Sequence, residues 1–411
     1  MARPTSLRTA LVLAPLTLAL PLAACADSSG DGVDDVGDLS DIGGTSTDGA
    51  TDETGSSGSD TGSTDAGTTD ADTTDTSTTD TGTTTDTTDT MEDPGFGPWC
   101  EAPPACDAAP PPAPPELDWE HLDSNIIVLA GDPNHRFRDM FYVPGETQWL
   151  MAKFAYGTID KDLKDEQVDI YLLRNCEGPW EFLGSSWTTE EAAHPTVEGV
   201  EDTGGWVYFE VPADVELELG RHRIHMVVRG DQTTTEGFVE VVEPGTPIFL
   251  SDIDGTLTTF ETEEFVDLLL GTVPDAHEFA ATALSTLQDK GYHAMYLTAR
   301  PEWLVERSRE FVEVRGFPPG IIHTTLSFEG ALGGAAEAYK TGELQLLMGK
   351  GLIPTYVFGN TDSDAAAYDN AGIQPLDHRI FIQFDDPHGG RTIQSYGELI
   401  DEFSGLADLC D

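Results

Sequence analysis

The 411-residue sequence predicts two folded domains of different class, an all-β sandwich followed by a doubly wound α/β domain with a mostly parallel sheet. Between Glu116 and Glu243, short apolar runs are separated by Gly, Pro, Asp and Asn turns. They are Ile126–Leu129, Phe137–Val143, Trp149–Tyr156, Val168–Leu173, Trp206–Val211, Ile224–Val228 and Phe238–Val242. About seven strands over roughly 130 residues fit an antiparallel sandwich of immunoglobulin-like type. After Asp254 the pattern changes to helical stretches (Thr262–Leu270, His277–Lys290, Glu302–Val314, Gly333–Met348, Asp364–Ala371, Tyr396–Phe403) alternating with strands (Tyr292–Leu297, Thr355–Phe358, Arg379–Phe384). The expected divisions are a signal segment 1–25, a tether 26–95, a Pro-rich linker 96–115, the sandwich 116–245 and the α/β domain 246–411.

The first 25 residues carry Arg3 and Arg8, an apolar run from Ala10 to Leu22, and then Ala23-Ala24-Cys25. The run is too short for a membrane span and ends in small residues, so it reads as a signal peptide. Its end resembles a bacterial lipobox. That resemblance implies acylation of Cys25 and a place in the cell envelope, lipid-anchored outside the cytoplasm, at the outer membrane or the periplasmic face. An ordinary secretory signal is the alternative. Residues 26–95 hold 19 Asp or Glu, no Lys or Arg, and otherwise mostly Thr, Ser and Gly. Such a segment cannot bury a core and is expected to be disordered and extended, with a coil reach of about 45 Å. Residues 96–411 keep 56 of the 75 acids against 18 of the 20 Lys and Arg, so the folded part is acidic too. A nucleic-acid partner is therefore not expected, and electrostatic docking on anionic lipid is disfavoured.

Cys100, Cys106, Cys176 and Cys410 remain after Cys25. An even number in an oxidising compartment reads as two disulfides with three possible connectivities. The pairing expected is Cys100 with Cys106, close in sequence across a turn, and Cys176 with Cys410, clamping the two domains. The sandwich shows no catalytic constellation. Asp160–Glu166 reads as a solvated loop, and His222 and His225, three apart on a strand, face opposite sides and cannot share a metal.

Chemistry concentrates in Pro247-Ile-Phe-Leu-Ser-Asp252-Ile-Asp254-Gly-Thr256-Leu-Thr258. Ile248–Ser251 reads as a buried strand, and open parallel sheets place their chemistry at the carboxyl ends of their strands. With a period of two, Asp252 and Asp254 point the same way, so two like charges share a small volume and call for a cation or a shared proton. Gly255 permits a sharp turn, and Thr256 offers a hydroxyl and an amide to an anion.

This string resembles the first motif of the haloacid dehalogenase superfamily of aspartyl phosphotransferases. Thr298-Ala299-Arg300 after the strand Met295–Leu297 is similar to the second motif, Lys340 to the third, and Phe358-Gly359-Asn360-Thr361-Asp362-Ser363-Asp364 to the fourth. More narrowly, these strings with Gly291–Arg300, Phe317–Gly320, Tyr339-Lys340 and Asp364–Tyr368 resemble the catalytic domain of lipins, magnesium-dependent phosphatidate phosphatases in which an immunoglobulin-like part accompanies the phosphatase domain. The resemblance implies that Asp252 attacks phosphorus and Asp254 is general acid and base. It also implies that Thr298, Lys340, Arg300 and Thr256 bind phosphate, and that Mg2+ is held by Asp252, Asp254 through its main-chain carbonyl, and Asp364.

Only 33 residues separate Thr258 from Tyr292 and 39 separate Arg300 from Lys340. Both intervals are shorter than the roughly 50 residues an inserted cap domain needs, so an open site suited to a membrane lipid substrate is expected. The expected reaction is hydrolysis of phosphatidate, or a close lipid phosphomonoester, to diacylglycerol and phosphate. Two alternatives stay open: a phosphatase of soluble or protein phosphomonoesters, and a non-catalytic phosphatidate-binding module such as the lipin-like domains of some lipid-transfer proteins.

Overall fold

The computed structural model describes residues 103–259 and 272–409, which fall in one compact unit spanning 87–411. The expectations for the signal segment, Cys25, the tether, Cys100, the helix Thr262–Leu270 and Cys410 lie outside the described residues.

The sandwich pairs a three-stranded sheet with a five-stranded one. A short helix α1 (Ser124–Ile127) comes first. The strands are β1 (Arg136–Arg138), β2 (Met140–Tyr142), β3 (Trp149–Lys153), β4 (Ala155–Tyr156), β5 (Lys161–Asp162), β6 (Gln167–Leu173), β7 (Glu181–Trp187), β8 (Trp206–Glu210), β9 (Gly220–Val228) and β10 (Thr234–Val241). One sheet runs β1-β3-β8 and the other β2-β10-β9-β6-β7, with β4 and β5 as a separate hairpin. All neighbours are antiparallel except β2 and β10. Phe137, Leu150, Ile170, Val207, Ile224 and Val239 fill the space between the sheets.

Several expectations change here. Ile126–Leu129 is helical rather than a strand, because its amides at 126 and 127 bond back to Asp123 O (2.8 and 3.0 Å) and the buried Glu166 carboxylate gathers Glu120 N, His121 N and the Ser124 hydroxyl. The run Phe137–Val143 is two strands in different sheets, split at Asp139, whose carboxylate accepts Phe238 N (2.8 Å) and Ile322 N (3.2 Å). Asp160–Glu166 is no solvated loop, since Asp160 is paired with the buried Arg136 and Glu166 is buried. The strand β7, with Gly-Ser-Ser in its middle, escaped the sequence pattern.

The expected pairing of Cys100 with Cys106 and of Cys176 with Cys410 is overturned: Cys106 is bonded to Cys176, their Cα atoms 4.5 Å apart. Two residues 70 apart in sequence meet because the Pro-rich segment lies along the sandwich. Arg223 donates to Cys106 O and Ala108 O, Trp180 Nε1 to Ala109 O, and Arg229 to Pro115 O.

The second domain is a six-stranded sheet in which every pair is parallel, ordered β13-β12-β11-β14-β15-β16. Its strands are β11 (Ile248–Ser251), β12 (His293–Leu297), β13 (Gly320–His323), β14 (Pro354–Gly359), β15 (Arg379–Ile382) and β16 (Arg391–Ile393). Its described α-helices are α2 (Ala280–Asp289), α3 (Val305–Val314), α4 (Gly334–Gly349), α5 (Asp362–Asn370) and α6 (Gly397–Ser404). All four residues of β11 are buried, as a central strand covered on both faces must be. Phe249 packs with α2, α3 and α6 on one face, while Ile248 and Leu250 pack with α4 and α5 on the other. The strands β13 and β16, four and three residues long, were not expected. At Gly320 a Cβ would lie 2.3 Å from Ala294 O, so only glycine lets β13 settle on β12. Between Arg300 and Lys340 the chain runs through α3, β13 and one loop, with no inserted domain.

The two domains are joined by buried charge. Arg136 donates to Asp160 (2.6 Å) and to Glu302 (2.5 Å) beyond β12, and Arg138 to Glu343 on α4 (2.6 Å) and to Thr324 O (2.9 Å). Arg309 on α3 pairs with Asp139 (3.1 Å), and His293 Nδ1 lies 3.0 Å from Glu240, which also binds Arg221. Burial alone would raise the Glu343 carboxyl, but Arg138 and His323 overrule it and hold it down at about 2.

Two outcomes follow. Non-reducing peptide mapping should recover a fragment joining Cys106 to Cys176, and reduction should cost about 2–4 kcal/mol in denaturant melts. Arg138→Met should destabilise the chain by roughly 3–5 kcal/mol at neutral pH, because Glu343 keeps its charge without its main partner. A carboxyl with a depressed pKa stabilises the fold above its ordinary pKa of 4.5. The deficit should therefore shrink as pH falls from there towards about 2, which melts across that range check.

Candidate functional site

Strand β11 delivers Asp252 to the carboxyl edge of the sheet, where its amide donates to Phe358 O (3.0 Å) and prolongs the ladder with β14. The turn that follows needs a positive φ at Gly255 (69°), whose amide donates to Thr258 Oγ1 (2.8 Å). The Thr256 hydroxyl lies 3.1 Å from Asp252 Oδ2 and 2.8 Å from Asn360 Oδ1, and Tyr396 donates to Thr256 O. Asp252 is 3 % exposed.

Lys340, on α4, points its buried ammonium between two carboxylates, 2.7 Å from Asp252 Oδ1 and 2.5 Å from Asp364 Oδ1. Asp364 is the third residue of α5, where it forms a capping box with Thr361. Its other oxygen accepts Asn360 N (3.1 Å), Thr361 N (3.1 Å) and the Thr361 hydroxyl (2.8 Å). The close packing requires Gly359, where a Cβ would lie 2.5 Å from Asp364 Cβ. Burial and the neighbouring charges of Asp364 and Asp254 push the Asp252 carboxyl up to about 7, against the pull of Lys340. On Lys340, burial works the other way but the two carboxylates prevail, so the ammonium is held charged.

Asp254 stands apart from this triad. Its side chain, 31 % exposed, accepts the Thr298 hydroxyl (2.9 Å) and a fork from Arg300, Nη2 to Oδ1 (2.6 Å) and Nε to Oδ2 (2.9 Å). Arg300 is itself buried and anchored by Ser308 (3.0 Å). The two aspartates thus answer to separate cations, and the sequence-predicted phosphate ligands Thr298 and Arg300 hold Asp254. All seven candidates, Asp252, Asp254, Thr256, Thr298, Arg300, Lys340 and Asp364, gather at this one edge. Asn360 and Ser308 were not singled out in the sequence. Asn360 lay inside the fourth motif with no role given, and Ser308 gave no signal.

Among the described residues no three His, Cys, Asp or Glu side chains converge to hold a metal. The set available to magnesium is the carboxylates of Asp252 and Asp364 with the main-chain carbonyl of Asp254. It is all oxygen, as that ion prefers, and three carboxylates face only two cations, so the residues fit. Lys340→Met should leave Asp252 and Asp364 facing each other and cost roughly 3–5 kcal/mol at pH 8. The loss should diminish in melts at lower pH, where Asp252 takes up a proton.

Residues 133–241 match the family model described as PITM 1-3, beta-sandwich domain, and residues 249–383 that described as PITM 1-3, LNS2 domain. Protein retinal degeneration B of Drosophila melanogaster is 28% identical over 274 residues, 66% of this chain and 20% of that protein. Membrane-associated phosphatidylinositol transfer protein 1 of Rattus norvegicus is 29% identical over 213 residues, 51% of this chain and 16% of that protein. Membrane-associated phosphatidylinositol transfer protein 2 of Homo sapiens is 25% identical over 273 residues, 66% of this chain and 18% of that protein. The chain spans a fifth or less of the length of these relatives. The resemblance to lipins is corrected to this extent: the relatives are animal PITM and retinal degeneration B proteins, and the α/β domain matches the LNS2 model. The described part of the chain is thus similar to a PITM β-sandwich followed by an LNS2 domain, the latter a phosphatase-type domain of haloacid dehalogenase-like fold.

Proposed function

We propose that the LNS2 domain of this chain recognises the phosphomonoester head of a membrane lipid, of which phosphatidate is the simplest, and hydrolyses it. The observation that carries the reading is the buried Lys340 ammonium held between Asp252 and Asp364, beside an Asp254 that remains accessible. Asp252 attacks phosphorus, the bond from phosphorus to the lipid oxygen breaks, and Asp254 hands that oxygen a proton. Water then cleaves the aspartyl phosphate, its proton passing to Asp254. Thr298 and Arg300 orient Asp254 at rest, and an incoming phosphate would compete for the same Arg300 donors. Magnesium, held by Asp252, Asp364 and the Asp254 carbonyl, would supply positive charge against the phosphate.

A second reading, binding of the lipid phosphate without turnover, is favoured by the relatives, whose printed names are those of phosphatidylinositol transfer proteins. The forked hold of Arg300 on Asp254 also supports it, because it engages the general acid. The envelope location and the acyl anchor at Cys25 rest on the lipobox-like sequence.

The test compares phosphate release from phosphatidate in mixed micelles with release from glycerol phosphate. We expect turnover of the lipid that falls by about three orders of magnitude in Asp252→Asn. Vesicle binding with no phosphate released by the unaltered chain would select the second reading, and faster hydrolysis of glycerol phosphate would reject the lipid.

A further inference from the structure

The edge of the sheet that carries the site also carries an apolar rim. The loop between β13 and α4 emerges at the same carboxyl edge as Asp252 and Thr298, and presents Phe328 at 47 % and Leu332 at 90 % exposure. It is fastened to the Arg300 segment: Ala331 N donates to Ala299 O (2.9 Å), and the Thr325 hydroxyl to Arg300 O (2.9 Å). Trp303, three residues beyond Arg300, lies half-buried against Phe328, ring centroids 6.2 Å apart, and its indole N–H donates to Phe328 O (2.9 Å). Large apolar side chains held this far out by backbone bonds have no role in the core.

We propose that Trp303, Phe328 and Leu332 enter the hydrocarbon boundary of a bilayer and so present the phosphate of a membrane lipid to the adjoining site. The inference rests on the lipid-phosphate reading above. Three observations select a bilayer as the occupant. The rim adjoins the segment whose Arg300 grips Asp254, so the apolar remainder of any lipid seated there emerges at the rim. The indole N–H already has its acceptor, so the ring enters an apolar layer without stranding a donor. The chain carries a formal charge of −55, so adsorption on anionic lipid by charge is disfavoured, and apolar insertion is the means that the folded domains themselves offer. Glu329 is the acid on this loop and is exposed, while Glu302 beside Trp303 is buried against Arg136.

The experiment uses the full chain in a Cys25→Ser background, so that no acyl chain supplies adhesion. Flotation with phosphatidylcholine vesicles containing phosphatidate is compared for this protein, Phe328→Asp/Leu332→Asp, and Phe328→Trp/Leu332→Met. The aspartate pair should weaken vesicle binding about tenfold or more, and the apolar pair should retain it. Binding of inorganic phosphate, measured by calorimetry, should be unchanged in all three. Equal vesicle binding by the aspartate pair overturns the rim. Absence of phosphate binding in every protein, with vesicle binding still lost in the aspartate pair, overturns the phosphate-site reading and leaves the rim standing.

Discussion

The site depends on one ammonium group. Asp252 comes from the end of β11 and Asp364 from the first turn of α5, both almost wholly buried, and two such carboxylates cannot face each other in a dry interior without a positive charge between them. Lys340 provides that charge from a third element, and its neighbours serve its placement. Tyr339 donates to Thr324 O, and Glu343, one turn further along α4, is held by Arg138 and His323. The requirement also explains why Gly359 has no side chain: a methyl there would push Asp364 off the ammonium.

The same helix ties the site to the sandwich. Arg136 and Arg138, two residues apart on β1, reach Glu302 and Glu343. Glu302 is two residues past Arg300, and Glu343 is three past Lys340. One short strand of the sandwich therefore grips both segments that carry the site's cations. A buried ion pair adds little to stability in itself, yet it is costly to break and strict in geometry, which suits a joint that has to fix position. Phe238 lies in the same joint with guanidinium groups of Arg221 and Arg309 over its ring, at 4.0 and 5.1 Å.

Much of the α/β domain was legible because its information is local. A buried strand running into Asp252 and Asp254 states element, edge and chemistry within a dozen residues, and the other motifs repeat that grammar at Thr298 and Asp364. The identities of the partners were not legible. Nothing near Arg300 indicates that it holds Asp254 rather than waiting for phosphate, since the fork closes between residues 46 apart. Arg138 and Glu343 are 205 apart, and Cys106 finds Cys176 only because the Pro-rich segment runs along the sandwich. The Ile126–Leu129 run misled because its apolar side chains imply a strand, whereas Glu166, some forty residues on, collects the donors that make it a helical turn.

The Cys106–Cys176 bond also sets a load path. Any pull transmitted along the chain from residues before 103 arrives first at Cys106, and the covalent link passes it to the end of β6, an inner strand of the five-stranded sheet. There the tension is shared by the ladders with β7 and β9 on either side, which run along the whole strand. The α/β domain with Asp252 and Lys340 lies beyond that route. A chain drawn tight would thus strain its sandwich while its phosphate-facing cluster keeps its shape.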